Sequence, residues 1–370
     1  MNTGKSNRRE FLQGRSALKA VEDLLPRDVQ PTSSGGEAEH HPGAPTDESY
    51  LIQVGRPAMA CQFEVLLNAG QHAAATETAL AALDLVDKLE DQMTVYRPQS
   101  EVSRINAAAA ELPIPVESRL FELLQLAVAL HGDTRGAFDI TAGPLSKAWG
   151  FYRRSGRIPS VHEIETALLR VGSQYLELDP SRRTIQFKRK GMEINLGAIG
   201  KGYALDRCGE LLSQAGVANF LIHGGQSSIL AAGSRLSAHA EKPGWHVALR
   251  HPLRPDQELA DVWLRDRALG TSGSGQQFFH FEGRRFGHVI DPRTGQSVEG
   301  VLSATVLAPT AALADALSTA FFVMGREQTL EFCGEHPTIA AILVCPGPRI
   351  GQLELHVCGL SDDEFRRKIE

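Results

Sequence analysis

Apolar and polar residues alternate from Tyr50 to Asn68, the period of strands, and Gly55-Arg56-Pro57 is expected to break the run into two. The period then changes. Between Ala73 and Met93, Leu80, Leu83, Val86, Leu89 and Met93 recur at helical spacing. A second helix is expected over about Ser118 to His131, and a third, opened by a capping box of Ser160 with Glu163, ends near Val171. Short strands at Tyr175 to Leu178 and Thr184 to Phe187 flank a turn at Asp179-Pro180. Met192 to Leu196 reads as a strand that enters a Gly-rich turn and then a helix from about Gly200 to Gln214. Strand-like segments follow at Phe220 to Ile222, Ser228 to Ala231, Trp245 to Arg250, Ala260 to Leu264, Gln277 to Phe281, Phe286 to Ile290 and Ser303 to Leu307. A helix over Thr310 to Met324 and strands near Ile339 to Val344 and Leu353 to Val357 complete the pattern. Helices interrupt strands irregularly and most strand connections are short, so the pattern is α+β and lacks the rhythm of a doubly wound parallel sheet. No internal repeat is visible.

Composition narrows the class of protein. The chain has 370 residues, enough for a sizeable core, and at about 150 residues per domain it accommodates two domains or one large unit with a tail. Lys and Arg number 38 against 44 Asp and Glu, a net charge of −6, and no segment concentrates positive charge enough to track a phosphate backbone. Nucleic acid is therefore excluded as a partner. The longest uncharged stretch, Leu211 to Ser234, carries glycines, serines, Gln214, Asn219, His223 and Gln226, so no transmembrane span is expected. The five cysteines, Cys61, Cys208, Cys333, Cys345 and Cys358, show neither zinc-site nor disulfide-framework spacing and read as scattered reduced thiols.

The first 49 residues are set apart. Ser6-Asn7-Arg8-Arg9-Glu10-Phe11-Leu12 resembles a twin-arginine export signal, but Arg15, Lys19, Glu22 and Asp23 occupy the stretch where such a signal needs an apolar run. The motif reads as degenerate, which favours a cytoplasmic protein, with export by the twin-arginine route as the alternative. Pro26 to Ser49 has almost nothing to bury and reads as a flexible linker, giving a tail over 1–49 and a folded domain over 50–370.

Four segments carry candidate chemistry. In Ile194-Asn195-Leu196-Gly197-Ala198-Ile199-Gly200-Lys201-Gly202, a Gly-rich turn leads to a helix N-terminus with Lys201 beside it, which is either an anion cradle or a plain strand-to-helix turn. Gly136-Ala137-Phe138-Asp139-Ile140-Thr141 places a carboxylate and a hydroxyl among glycines, and its plainer reading is a tight turn capping a short helix. Gly270-Thr271-Ser272-Gly273-Ser274, followed by Arg285 to Gly295, looks like a hairpin ending in His288 and Asp291, a candidate base and orienter or simply a turn. Asp315 and Thr319 are spaced i, i+4 on one helix face and offer hard oxygen donors of the kind Mg²⁺ takes alongside substrate oxygens.

Taken in order, these segments resemble the FAD:protein FMN transferase (ApbE-type) family, from Tyr50 to about Leu360. The matching pieces are Met93-Thr94-Val95-Tyr96-Arg97-Pro98 with Ser100 to Asn106, Ala137-Phe138-Asp139-Ile140-Thr141, Gly200-Lys201-Gly202-Tyr203-Ala204-Leu205-Asp206, Gly224-Gly225, Thr271-Ser272-Gly273, His288 to Gly295 and Ala314-Asp315-Ala316. The resemblance implies an α+β, T-fold-related architecture of mixed, largely antiparallel sheets with packed helices. It implies a Mg²⁺-dependent enzyme that takes FAD as substrate, moves the FMN half onto a Ser or Thr hydroxyl of an acceptor flavoprotein, and releases AMP. Flavin contacts then fall on Met59, Tyr96, Ala137, Phe138, Asp139, Asn195, Lys201 and Ile290, and metal contacts on the Ala198 backbone, Asp315 and Thr319. His288 is the expected proton acceptor and Asp291 its orienter.

Departures from the family pattern qualify the site. Met59-Ala60-Cys61 stands where Met-Gly-Thr is usual, and Asn195 and Gln226 stand where Asp is usual. Ser318 replaces an acidic metal ligand found in some members, so weaker Mg²⁺ affinity or more reliance on the phosphates of FAD is expected. Two alternatives follow: an FAD pyrophosphatase that uses water as acceptor, and a flavin-binding protein that has lost catalysis.

Overall fold

The computed structural model describes residues 50–153, 155–237, 240–273, 278–349 and 351–368, and the tail and its twin-arginine-like motif lie outside them. The described residues belong to one compact unit. It begins with strands β1 (Leu51–Ala58) and β2 (Cys61–Asn68), then helices α1 (Ala75–Met93) and α2 (Glu101–Ala108). After β3 (Ile114–Pro115) come α3 (Ser118–Asp133), α4 (Gly143–Ala148) and α5 (Val161–Leu168). Strands β4 (Leu176–Asp179) and β5 (Thr184–Phe187) precede α6 (Gly200–Gln214). An all-strand stretch follows: β6 (Phe220–Gly224), β7 (Ser228–Ala232), β8 (Trp245–His251), β9 (Arg254–Leu264), β10 (Arg267–Gly273), β11 (Phe278–Phe281), β12 (Arg284–Gly287) and β13 (Ser303–Ala308). Helix α7 (Ala311–Glu335), β14 (Ala340–Pro346), β15 (Leu353–Cys358) and β16 (Phe365–Arg367) complete the fold.

The centre is an eight-stranded sheet in the order β1-β2-β6-β7-β10-β13-β14-β15, antiparallel at every pairing. Strand periodicity decides what each face buries. On β2, Phe63, Val65 and Leu67 point at helices α1, α6 and α7, and each such buried side chain contributes about 1.5–3 kcal/mol. The opposite face, with Leu221, Ile229, Leu269 and Ile342, packs against Trp245, Leu249, Val262 and Leu264 of a three-stranded sheet in the order β16-β9-β8. A third small sheet, β3-β5-β4, and the α4–α5 pair, closed by Leu145 and Ile164, build out the helical side.

Several elements differ from the sequence expectation. The first two strands break at Met59-Ala60, both at positive φ, and not at Gly55-Arg56-Pro57. Pro57 is tolerated inside β1 because that strand lies at the sheet edge, where a missing N–H costs no ladder bond. Met192 to Leu196 carries no strand pairing among the described residues, and its polar groups are met singly: Ile194 N–H donates to Asn106 Oδ1 at 2.7 Å and Asn195 N–H to the Ile140 carbonyl at 2.7 Å. The last helix passes Met324 and reaches Glu335, broken at Gly325 with φ 75° and ψ −170°. The segment around Thr271 is not one arm of the hairpin near His288; it is β10, central in the main sheet, and the hairpin is β11–β12.

Candidate functional site

Two helices cap each other at the heart of the molecule. Asp206 on α6 accepts hydrogen bonds from the Ala311 and Ala312 N–H groups at 2.7 and 2.8 Å, at the start of α7. In return Asp315 on α7 accepts from Gly202 N–H at 2.7 Å, in the first turn of α6. Each carboxylate meets the positive end of the other helix. The crossing is tight enough that a Cβ on Gly202 would sit 2.0 Å from the Ala311 carbonyl oxygen, so only glycine fits. Burial raises the Asp206 carboxyl to about 6 against the pull of the two N–H groups, with Asp315 nearby adding to the rise. Burial also raises Asp315, opposed by the Lys201 charge and the Gly202 N–H.

This crossing stands beside a cleft of about 1520 Å³. Lys201 reaches it from the first turn of α6, its Nζ donating to Ser227 Oγ at 2.6 Å. Thr319, one turn beyond Asp315, shares a hydrogen bond with Ser272 Oγ at 3.1 Å, and the same hydroxyl meets Ser318 Oγ at 2.9 Å. Ser318 also donates to the Asp315 carbonyl at 2.8 Å. Asp315 itself is buried behind this wall at 7% exposure. The β1–β2 turn brings Met59, whose N–H donates to Glu90 Oε2 at 2.6 Å, and Cys61, whose thiol burial raises while the Lys201 charge lowers it.

The opposite wall comes from loops between the helices. Asp139 lines the cleft, but its side chain is only 1% exposed. It accepts from the Thr141 N–H and hydroxyl at 2.8 and 2.6 Å and from the Ser173 N–H and hydroxyl at 3.1 and 2.7 Å, and it lies 3.2 Å from His131 Nδ1. Burial opposes this charge, yet the His131, Ser173 and Thr141 donors hold the carboxyl below its ordinary value. Asp139 therefore fixes the shape of a loop whose buried Ala137 and Phe138 border the cleft. It does not cap α4, whose start has no side-chain cap. Asn195 Oδ1 accepts from Gly197 N–H at 2.9 Å and shapes the turn that presents Ala198.

His288 and Ile290 line the cleft from the segment after β12. That segment is anchored by an aromatic cluster in which Trp149 meets Phe286 at 5.8 Å and Phe279 stacks on Phe286 at 5.4 Å, while the Trp149 ring N–H donates to the Gly295 carbonyl at 2.8 Å. Asp291 gives both carboxylate oxygens to Arg293, through its N–H, Nε and Nη2 at 2.9 Å each, and so fixes the turn that follows His288. Tyr96 is 68% exposed at the cleft mouth and stacks on Tyr152 with centroids 5.1 Å apart. Tyr152, Ser227 and the capping role of Asp206 were missed in the sequence; an aromatic run from Trp149 to Tyr152 was the visible signal for the first.

Among the described residues no group of three or more His, Cys, Asp or Glu is placed to hold a metal ion. The oxygen donors grouped here are the Asp315 carboxylate and the hydroxyls of Thr319, Ser318 and Ser272, and Ala198 lines the same cleft. All are hard oxygens. They fit Mg²⁺, which keeps several waters and takes substrate phosphates, and not a metal that needs an all-protein cage.

On an antiparallel α+β scaffold, the cleft brings together Lys201 at the N-terminus of a helix, the hydroxyls of Ser272 and Thr319, and aromatic residues, as an enzyme's substrate cleft does. The chain belongs to the ApbE family, whose sequence profile matches residues 59–343. The FAD:protein FMN transferase of Salmonella typhimurium is 32% identical over 267 residues, covering 68% of this chain and 75% of that protein. The Escherichia coli K12 protein of the same name is 31% identical over 271 residues, covering 72% and 75%. The crystal structure of the ApbE protein from Thermotoga maritima superposes with a TM-score of 0.73 at 28% identity, covering 82% of this chain and 96% of that one. The apo form of the Pseudomonas stutzeri flavinyl transferase ApbE gives 0.73 at 27% identity, covering 84% and 95%.

Proposed function

We propose that this protein transfers FMN from FAD to a Ser or Thr hydroxyl of an acceptor flavoprotein, with Mg²⁺, and releases AMP. The observation that carries the reading is the meeting of Lys201, Thr319 and His288 on one cleft, with Asp315 immediately behind, although they lie far apart in sequence. Tyr96 and Tyr152 provide a stacking surface for the flavin ring. Lys201 exchanges Ser227 for phosphate oxygens of the bound dinucleotide and holds them at a helix N-terminus. Held by Asp315, Thr319 and the Ala198 carbonyl, Mg²⁺ would offset charge on the pyrophosphate.

His288 accepts the proton of the acceptor hydroxyl as its oxygen forms a bond to the phosphorus of the FMN half. The bond from that phosphorus to the bridging oxygen breaks, and AMP leaves carrying that oxygen. The protein's contribution is position and charge, since phosphoryl chemistry of this kind needs no covalent enzyme intermediate. Incubation with FAD, Mg²⁺ and a Ser/Thr-bearing acceptor, read by mass spectrometry, should show a protein carrying an added FMN and an equal amount of AMP. AMP without adduct would point to water as the acceptor. His288→Ala should lower the rate by roughly 10²–10⁴-fold with FAD binding retained, and an unchanged rate would remove His288 from the proton transfer.

A further inference from the structure

The cleft has a second limb that the flavin chemistry leaves unused. Past the turn at Gly225 and Gln226 it continues onto the face of the main sheet opposite the helices, where Leu66 and Leu221, directly paired across β2 and β6, form part of the floor. Its wall is β8. Every residue from Trp245 to Leu253 borders the cleft, with Trp245 and Leu249 packed inward and His246 and Arg250 exposed. β8 pairs with β9 on one side, and among the described residues no strand pairs with the other. Trp245 is anchored on the Ala232 carbonyl at the far end of β7, while the tip at Pro252 and Leu253 lies at the opposite end of β8 and also borders the cleft.

We propose that the free edge of β8 receives the acceptor: the segment bearing the target hydroxyl adds to it as an extended strand flanked by acidic residues. This rests on the transfer reading above. An open strand edge is a ready template for another chain, and folds normally blunt it with bulges, prolines or charge. Here the register is irregular only at Leu249, Arg250 and His251, which leaves Trp245 to Leu249 a regular edge. FAD has no main-chain amides with which to use such an edge, whereas a polypeptide does, and the alternating side chains of an added strand suit the apolar floor. The charge in this limb is positive. The exposed Arg235 and Arg250 have no carboxylate partner among the described residues, while Glu258 is held by Lys368 at 2.6 Å.

The test uses the full chain, FAD, Mg²⁺ and a decapeptide library with one fixed Thr and the other positions randomised, scored by mass spectrometry for added FMN. Modified peptides should be enriched at least tenfold in acidic flanking residues. The double substitution Arg235→Glu with Arg250→Glu should move that enrichment to basic flanks. A selected peptide with its Thr replaced by Val should slow hydrogen exchange at alternate amides of Trp245 to Leu249 in the unsubstituted protein, a readout that does not depend on the variant folding. Identical selection by both proteins, or unchanged exchange in β8, would overturn the proposal. A library that takes up no FMN, while a folded Ser/Thr-bearing acceptor flavoprotein under the same conditions does, sinks the proposal alone. Absence of FAD cleavage removes the transfer reading with it.

Discussion

At the scale of single residues, the capping carboxylates set both stability and chemistry. Asp206 titrates near 6 where an ordinary Asp titrates at 3.8, because burial outweighs the two N–H groups it accepts. A folded-state value above the unfolded one means a contribution that is complete below pH 3.8 and lost as pH rises through about 6, a loss of about 3 kcal/mol. Asp206→Asn cannot ionise. It gives up a cap bond at every pH, but its stability relative to the parent should improve between pH 4 and pH 6 and be level above that. Thermal unfolding in EDTA across this range checks it, and a pH-independent difference would show that Asp206 ionises at its ordinary value. The sequence placed Asp206 inside a motif without a role, because the partner N–H groups lie on a helix more than a hundred residues away.

At the scale of elements, the β16-β9-β8 sheet hangs on one carboxylate. Asp261 is fully buried on β9 and meets His246 of β8 at 2.6 Å, Arg366 of β16 at 2.8 Å and Lys368 at 2.7 Å. Burial alone would raise its carboxyl, but these donors hold it down at about 2. A depressed value means stability that is present above pH 3.8 and lost as pH falls toward 2. Asp261→Asn should therefore destabilise by roughly 3 kcal/mol at pH 7, and the difference from the parent should shrink toward pH 2.5. Equal differences at the two pH values would contradict this account. Legibility at this scale followed the strength of local signals. The capping box of Ser160 with Glu163 and the span of α6 were readable, since both are written in neighbouring residues. The Met59-Ala60 turn was not, because neither residue is the Gly, Asn or Asp that advertises positive φ. Met192 to Leu196 looked like a strand because apolar Met192, Ile194 and Leu196 alternate with polar Glu193 and Asn195, yet strand status needs a partner that sequence periodicity cannot name.

At the scale of the molecule, the site exists only because elements remote in sequence meet. The order of motifs located Lys201, Asp315, Thr319 and His288, but the mutual capping of α6 and α7 and the pairing of Lys201 with Ser227 depend on the sheet order, which no local pattern encodes. If Mg²⁺ binds as proposed above, metal and dinucleotide binding are interdependent. With Asp315 as the single carboxylate among the proposed donors, Mg²⁺ alone would find few ligands, and the phosphates of FAD would supply the rest. Each ligand stabilises only the folded chain, by about 2.7 kcal/mol at a hundredfold excess over its dissociation constant. Mg²⁺ and FAD added together should therefore raise the unfolding temperature by more than the sum of their separate effects. Asp315→Ala should abolish that excess while FAD alone still stabilises through the aromatic wall and Lys201. Thermal scans with Mg²⁺, FAD and both, on parent and variant, measure this without reference to turnover. Strict additivity in the parent would mean that the metal and the dinucleotide do not share Asp315.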